Sequence, residues 1–381
     1  MITISVSEVR AFFQRSKSIK ENKILPILAY IKFEYDGETC TLTKNSMASF
    51  VIHEVEAEVA KKIKNIKVLL DERSLSSIIE NAPSDAILTI ESTSIKKDNI
   101  DTNKVHMVCG KKKMDFFAPF GENFPAPEKQ EKTEVFVLDK TVLKALAAAA
   151  DHSDPIKDVR TWLMYAYIFN LGAADNPTHY CVWGGDGQVM YYKEFDKPLP
   201  HMVLEPAACN VICQYDQVEF SQSGKYYFFG TGKSIYGFAQ PEAAYRDISP
   251  IVALKKEGNV TLDRAEIIEF CQMVIGNNPT EYGCEGIIKN EGKRQLKFVY
   301  DNAQFSKYAE MILDVKKDFD IDEFIFNAKA MLTVMKSIDS DKVQFHKPIQ
   351  HNIFVTVKDD KSYLGAVRQL VYNQSQPAQS E

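Results

Sequence analysis

The chain has few of the features that settle a protein's chemistry by inspection. None of its apolar runs reaches the roughly 18 residues that a membrane-spanning helix needs. Its first ten residues, MITISVSEVR, carry neither the charged nor the apolar section of a secretory leader, so a cytosolic, cytoplasmic protein is expected. The seven cysteines (Cys40, Cys109, Cys181, Cys209, Cys213, Cys271, Cys284) are odd in number, form no CxxC and fall mostly in apolar segments. They read as reduced thiols that pack as small hydrophobes. The seven histidines form no i,i+4 pair on a helical pattern and have no cysteine at zinc spacing, so no metal is expected. Positive charge is short as well: 46 Lys and Arg against 52 Asp and Glu leave a net charge of -6. That excludes holding nucleic acid by bulk charge; a DNA role must rest on a local patch or on topology.

Catalytic signatures are equally scarce. There is no GxSxG, no activated-cysteine context and no carboxylate pair in an acid/base motif, so an enzyme is unsupported and no cofactor is expected. Gly230-Thr231-Gly232-Lys233-Ser234 has the look of a phosphate loop. That motif needs a glycine where Tyr227 stands and a helix after the serine, whereas Ile235-Tyr236-Gly237-Phe238 reads as strand; a hairpin turn is the better reading. Trp183-Gly184-Gly185-Asp186-Gly187 lies between strands and reads as a turn, with a pocket wall as a second use.

What is present is a pattern that occurs three times. Residues 324–326 read as a strand, Asn327 as a helix N-cap, and Met331, Val334, Met335 and Ile338 as one helical face; Val343 and Phe345 then alternate as a strand does. The first echo runs from Val68-Leu69-Leu70 through the cap Asp71 to Leu75, Ile78 and Ile79. The second runs from Val203-Leu204 through Glu205 to Ala208, Val211 and Ile212. A partner helix precedes each, capped at Ser5, Asp139 and Asp263, and cap-to-cap spacing is roughly 65 residues every time, the size of half a small domain. Strands are expected at 31–35, 40–43, 50–56, 57–67, 87–91, 105–109 and 113–117, with 96–103 a polar connection, and again at 162–171, 179–183 and 188–195.

The expected class is α+β: three tandem similar domains, each with two helices backed by antiparallel sheet. Pro- and charge-rich stretches at 121–132 and 241–258 read as linkers. The domains are therefore 1–126, 127–255 and 256–372, followed by a disordered polar tail, 373–381. Basic residues collect on equivalent helices: Arg10 and Lys17, with Lys20 and Lys23 just beyond, then Lys140 and Lys144, then Lys329 and Lys336. Such faces suit a phosphate backbone, and plain solvated faces look the same.

This plan resembles the bacterial sliding clamp, the β subunit of DNA polymerase III. The likeness covers about residues 1–370. It is carried by Leu25-Pro26-Ile27-Leu28, Phe124-Pro125, Val159-Arg160 with Leu163, Asp186-Gly187, Tyr245-Arg246-Asp247-Ile248-Ser249-Pro250 and Phe326-Asn327, in that order. The resemblance implies a DNA clamp fold and a head-to-tail homodimeric ring that encircles double-stranded DNA without reading its sequence. It implies a non-catalytic processivity subunit of the polymerase (nucleotidyltransferase) holoenzyme in DNA replication, with no cofactor. The basic residues above would face DNA, and Met114 and Phe116 of one chain would meet Val274 and Ile275 of the other. Polymerase and clamp-loader subunits would dock short peptide motifs in a pocket walled by Leu163, by Gly185, Gly187, Gln188, Val189 and Met190, by Ala243 and Ile248, and by Leu364, Ala366 and Val367. Truncating Met190 or Leu163 would then weaken such a peptide. Gln188-Val189-Met190 and Val367 depart from the clamps' usual residues, which implies an unusual peptide preference. Other readings are a clamp-fold scaffold with altered partners and an enzyme on a repeated α+β scaffold.

Overall fold

The computed structural model describes residues 1–370 apart from 21, 62–63, 98–99, 128–133, 154–159, 171–179, 243–247, 255, 257, 279–283, 304–305, 320 and 322. The tail 373–381 and its expected disorder lie outside these described residues, as does Ala243.

Helices begin where the sequence supplies an oxygen for unpaired N–H groups. α1 (Val6–Ser16) follows Ser5, whose hydroxyl accepts from Glu8 N at 3.3 Å. α2 (Glu72–Ile79) follows Asp71, which accepts from Ser74 N at 2.8 Å. α3 (Lys140–Asp151) follows Asp139. α4 (Pro206–Ile212) has no side-chain cap and starts instead on Pro206, whose fixed φ suits the first turn. α5 (Ser249–Val252) is a single turn. α6 (Arg264–Asn277) starts from Asp263, which accepts from Ala265 N at 3.2 Å. α7 (Ala328–Lys336) starts from Asn327, which accepts from Lys329 N and Ala330 N.

The chain packs as two compact units. Unit one comprises residues 1–140 and 214–240; unit two comprises 141–213 and 241–381. Unit one holds a five-stranded antiparallel sheet in the order β5 (Ala57–Val59), β1 (Ile2–Ser5), β7 (Ile87–Lys97), β8 (Ile100–Cys109), β9 (Lys112–Ala118). Its second sheet has eight strands: β10 (Phe136–Asp139), β15 (Gln217–Ser223), β16 (Tyr226–Thr231), β17 (Ser234–Ala239), β4 (Ser49–Glu54), β3 (Cys40–Asn45), β2 (Tyr30–Tyr35), β6 (Ile66–Asp71). α1 packs on β1 and β4, and α2 on β6, β8 and β9, so the pair bridges both sheets. Val9, Phe12, Leu75 and Ile78 are fully buried there, each stabilising the fold by about 1.5–3 kcal/mol.

Unit two repeats the scheme. Its eight-stranded sheet runs β14 (Met202–Leu204), β11 (Ala166–Asn170), β12 (Tyr180–Gly185), β13 (Val189–Phe195), β25 (Asp360–Arg368), β24 (Asn352–Val357), β23 (Lys342–His346), β18 (Asn259–Asp263). The other runs β21 (Lys307–Asp314), β20 (Gln295–Asn302), β19 (Glu285–Gly292), β22 (Glu323–Asn327). α6 packs on β18, β19 and β21, and α7 on β13, β22 and β25, again bridging two sheets.

The units do not end at 126 and 255, where the sequence places domain boundaries. Sheets run across those points: β17 pairs with β4 from Ser234↔His53 to Phe238↔Ser49, and β13 pairs with β25 from Val189↔Val367 to Lys193↔Tyr363. Residues 96–103, expected as a connection, are mostly strand in the long β7/β8 hairpin, where Ser94 pairs with Asn103. Asp101 is exposed and Asn103 buried, an alternation of two polar residues that hydrophobic patterning does not register as a strand. The stretch 57–67 is not one strand, because β5 joins one sheet of unit one and β6 the other. Trp162 lies in a 3-10 turn (Thr161–Met164) before β11. The 230–234 stretch is the expected hairpin turn, with Gly232 at φ 65° and Thr231 paired to Ser234. All seven cysteines are free thiols, and six of them are buried.

Candidate functional site

In unit two a cavity of ≈ 330 Å³ is assembled from the turn before β11, the β12/β13 turn, α5, the turn before β24 and the end of β25. Local chemistry shapes each wall. Asp186 closes the β12/β13 turn, its carboxylate accepting from Gln188 N at 2.7 Å and Val189 N at 2.8 Å. Gly187 sits at φ +88°, and a Cβ there would lie 2.8 Å from the Arg160 guanidinium, so the backbone is bare where Arg160 lies against it. Gly184 and Gly185, read from sequence as turn, are β12 residues. A Cβ on Gly184 would meet the Ala149 carbonyl oxygen at 2.1 Å, so this glycine is what lets α3 approach the sheet.

Trp162 and Trp183, the chain's only tryptophans, both line the cavity with ring centroids 6.0 Å apart. Trp183 stacks on Tyr167 at 4.6 Å, and the Tyr167 hydroxyl donates to Trp162 O at 2.8 Å, which ties the turn to the sheet. The buried indole nitrogen of Trp183 has no hydrogen-bond partner among the described residues. α5 is held by Lys256, whose ammonium donates to Val252 O at 2.6 Å and Leu254 O at 3.2 Å; burial pushes this lysine below its usual pKa. Gln350 and His351 both adopt positive φ in the turn that brings Gln350 and Asn352 to the rim. Arg160 and Arg368 stand at the rim, and among the described residues no carboxylate lines the cavity.

The structure thus gathers Leu163, Gly185, Gly187, Gln188, Val189, Met190, Ile248 and Ala366 around one depression. Leu364 belongs to the apolar cluster beneath it. Val367 is a correction: it is fully buried and alternates with Ala366, so it faces the opposite side of β25. Trp183 belongs to the glycine-rich stretch whose second use was a pocket wall, whereas Trp162, Ile251 and Leu254 are walls that patterning does not single out; the rarity of tryptophan was the one available signal for Trp162.

The basic residues are placed unequally. Lys17, Lys20, Lys23, Lys329 and Lys336 are exposed. Lys140 pairs with Asp216 at 2.5 Å and Lys144 with Asp339 at 3.7 Å, both at the surface, where such pairs hold weakly and can exchange. Arg10 is differently engaged: its guanidinium donates to Ile79 O at 3.1 Å and Ala82 O at 2.7 Å, so its charge caps the carboxyl end of α2 rather than facing outward. Arg264 does the same for α7 through Met335 O at 3.2 Å.

Of the expected interface residues, Met114 and Phe116 are half-buried on β9, an open edge strand whose other face exposes Phe117. Ile275 is half-exposed on α6. Val274 is 0% exposed inside unit two and cannot reach another chain, a second correction. The open edge of the four-stranded sheet, β21, exposes Tyr308 and Ile312.

No family model and no curated protein matches the sequence. Solved structures do. The β sliding clamp of Caulobacter crescentus matches 97% of this chain and 98% of its own at TM-score 0.85 and 14% identity. The DnaN sliding clamp (DNA polymerase III subunit β) of Pseudomonas aeruginosa, crystallised with griselimycin, matches 97% and 99% at TM-score 0.80 and 16% identity. The clamp of Bartonella birtlesii, also with griselimycin, gives 97%, 99%, 0.81 and 16%. The chain is an α+β protein of the DNA clamp fold. That fold, over nearly its whole length, is the one found in bacterial DNA polymerase III β subunits.

Proposed function

We propose that two copies of this chain close head to tail into a ring around duplex DNA and tether a replicative polymerase and other partners, as a non-catalytic processivity factor in the cytoplasm. The observation that carries this reading is the match to sliding clamps over 97% of the chain at TM-scores of 0.80 to 0.85. In this reading the chain holds three clamp domains, 1–126, 127–255 and 256–372. Its β17·β4 and β13·β25 pairings are the two junctions within a chain. Two of the edge strands, β9 with exposed Phe117 and β21 with exposed Tyr308 and Ile312, form the junction between chains in this reading, because unpaired strand edges seek partners. Lys17, Lys20, Lys23, Lys140, Lys144, Lys329 and Lys336 then contact the phosphate backbone weakly, which suits sliding and a net charge of -6.

The Trp-lined cavity takes a short extended peptide from the polymerase or the clamp loader, with large apolar side chains on its floor and acidic residues toward Arg160 and Arg368. Retention tests the ring. Loaded protein stays on nicked circular DNA at salt that abolishes phosphate-driven binding, and slides off the ends of linear DNA. Equal salt sensitivity on both templates would refute encirclement, and so would a solution mass that stays at the 43.2 kDa of one chain.

A further inference from the structure

A second cavity of unit two, ≈ 770 Å³, lies among α3, α7, β13 and β25. His152, just past α3, lines it and is 1% exposed. Its Nδ1 lies 2.7 Å from the Ala148 carbonyl oxygen, one turn back. A carbonyl only accepts, so Nδ1 carries the proton and Nε2 is a bare acceptor. Burial lowers this imidazole's pKa to about 4, which keeps it neutral. Nε2, on the ring edge directed away from the α3 backbone, is buried and has no hydrogen-bond partner among the described residues. The Tyr191 ring packs 5.6 Å from the imidazole, and Tyr363 meets Tyr191 edge-on at 5.7 Å. Ser337 donates to Val334 O at 2.7 Å, so the Tyr363 hydroxyl, 3.2 Å away, donates to Ser337 and keeps its lone pairs.

The rim carries Asp151, Asp339, Asp359 and Asp360 against Lys144, Lys193 and Lys336. Lys193 holds Asp360 at 3.1 Å and Lys144 reaches Asp339 at 3.7 Å. Among the described residues, Asp151, Asp359 and the His152 acceptor are left against Lys336 alone, an excess of acceptors and of negative charge. The small side chains of Ala145 and Ala148 leave an apolar track along α3.

We propose that this cavity binds an alkylguanidinium cation, its planar N–H donors reaching His152 Nε2 and the free carboxylates beside the tyrosine rings, its chain lying on the alanines. The inference is independent of the ring, because the cavity lies within one chain and is assayed without DNA.

Agmatine is the probe, titrated calorimetrically into the full-length protein. One agmatine per chain is expected, with no binding of the uncharged n-pentylurea. His152→Phe, which keeps the ring volume against Tyr191, should weaken agmatine about tenfold or more, the scale of a lost charge-assisted hydrogen bond. Asp359→Asn, at an exposed position, should weaken it about threefold. Should His152→Phe fail to fold by circular dichroism, the double variant Asp151→Asn, Asp359→Asn carries the test. Binding of acetyl-argininamide as well assigns the site to a partner's arginine side chain, and its exclusion assigns it to a free small cation. No binding by the wild type at millimolar agmatine would overturn the proposal, as would affinity indifferent to both the histidine and the carboxylate substitutions.

Discussion

Ile251 rather than Met190 should govern peptide affinity in the Trp-lined cavity. Met190 lines it but is only 8% exposed, so a bound peptide can remove little more of it from water. Fully burying such a side chain contributes about 1.5–3 kcal/mol, and 8% of that is about 0.1–0.2 kcal/mol, too small to read in an affinity. Ile251, on the free face of α5, is 41% exposed, and covering it yields about 0.6–1.2 kcal/mol. Ile251→Ala should therefore raise the Kd about three- to eightfold and barely move Tm. Met190→Ala should leave the Kd of the folded protein nearly unchanged, yet cost about 2–5 kcal/mol of stability, because Met190 belongs to the cluster of Trp183, Tyr167 and Phe354. This expectation differs from the one drawn from the sequence, in which truncating Met190 weakens the peptide. Both tryptophans line the cavity, so their fluorescence reports occupancy directly; the ligand is a pentapeptide carrying Leu and Phe beside one Asp. A folded Met190→Ala protein that loses affinity tenfold while Ile251→Ala binds normally would refute this reasoning.

Paired substitutions on the open edges, Phe117→Glu on β9 with Ile312→Glu on β21, should leave a folded monomer by light scattering, since these side chains are 43% and 45% exposed in the single chain and carry no core. Gly184→Ala should destabilise by about 1–3 kcal/mol or more in urea melts, because its Cβ would stand 2.1 Å from the Ala149 carbonyl and force α3 off the sheet. Acid should destabilise unit two through His152. The unfolded chain takes a proton near pH 6.5 and the folded site only near 4, so this contribution is complete above pH 6.5 and is lost as pH falls toward 4, by roughly 3 kcal/mol. His346, lowered by burial and then by Lys256, adds the same sign in unit two, and His53, lowered by burial and then by Arg15, acts likewise in unit one. Urea melts from pH 7 to 4.5 on wild type and His152→Phe check this; an equally steep loss in both would assign the acid sensitivity elsewhere.

The sequence by itself determined the elements that local chemistry controls. Ser5, Asp71, Asp263 and Asn327 offer an oxygen to the first turn of a helix, and the helices start there. The apolar rows Val9-Phe12, Leu75-Ile78 and Met331-Val334 repeat at helical spacing, and each is buried against sheet. Tyr227 in place of a glycine decided that Gly232-Lys233 is a hairpin turn. These signals span a few residues, so distant structure does not override them.

Tertiary structure alone decided what depends on residues far apart. Val274 has the same apolar character as Ile275, and only the packing of α6 on β18, β19 and β21 buries one and leaves the other half-open. Arg10 reads as a surface charge until the end of α2 supplies Ile79 O and Ala82 O as acceptors. Ala366 and Val367 differ by one residue and therefore by one face of β25, a register set by its pairing with β13. The cavity needs the turn at Trp162, the turn at Gly187, the single helical turn at Ile251 and the end of β25 in one place. No local preference encodes that meeting; it exists because β12, β13 and β25 share a sheet, and the sheet brings their ends together.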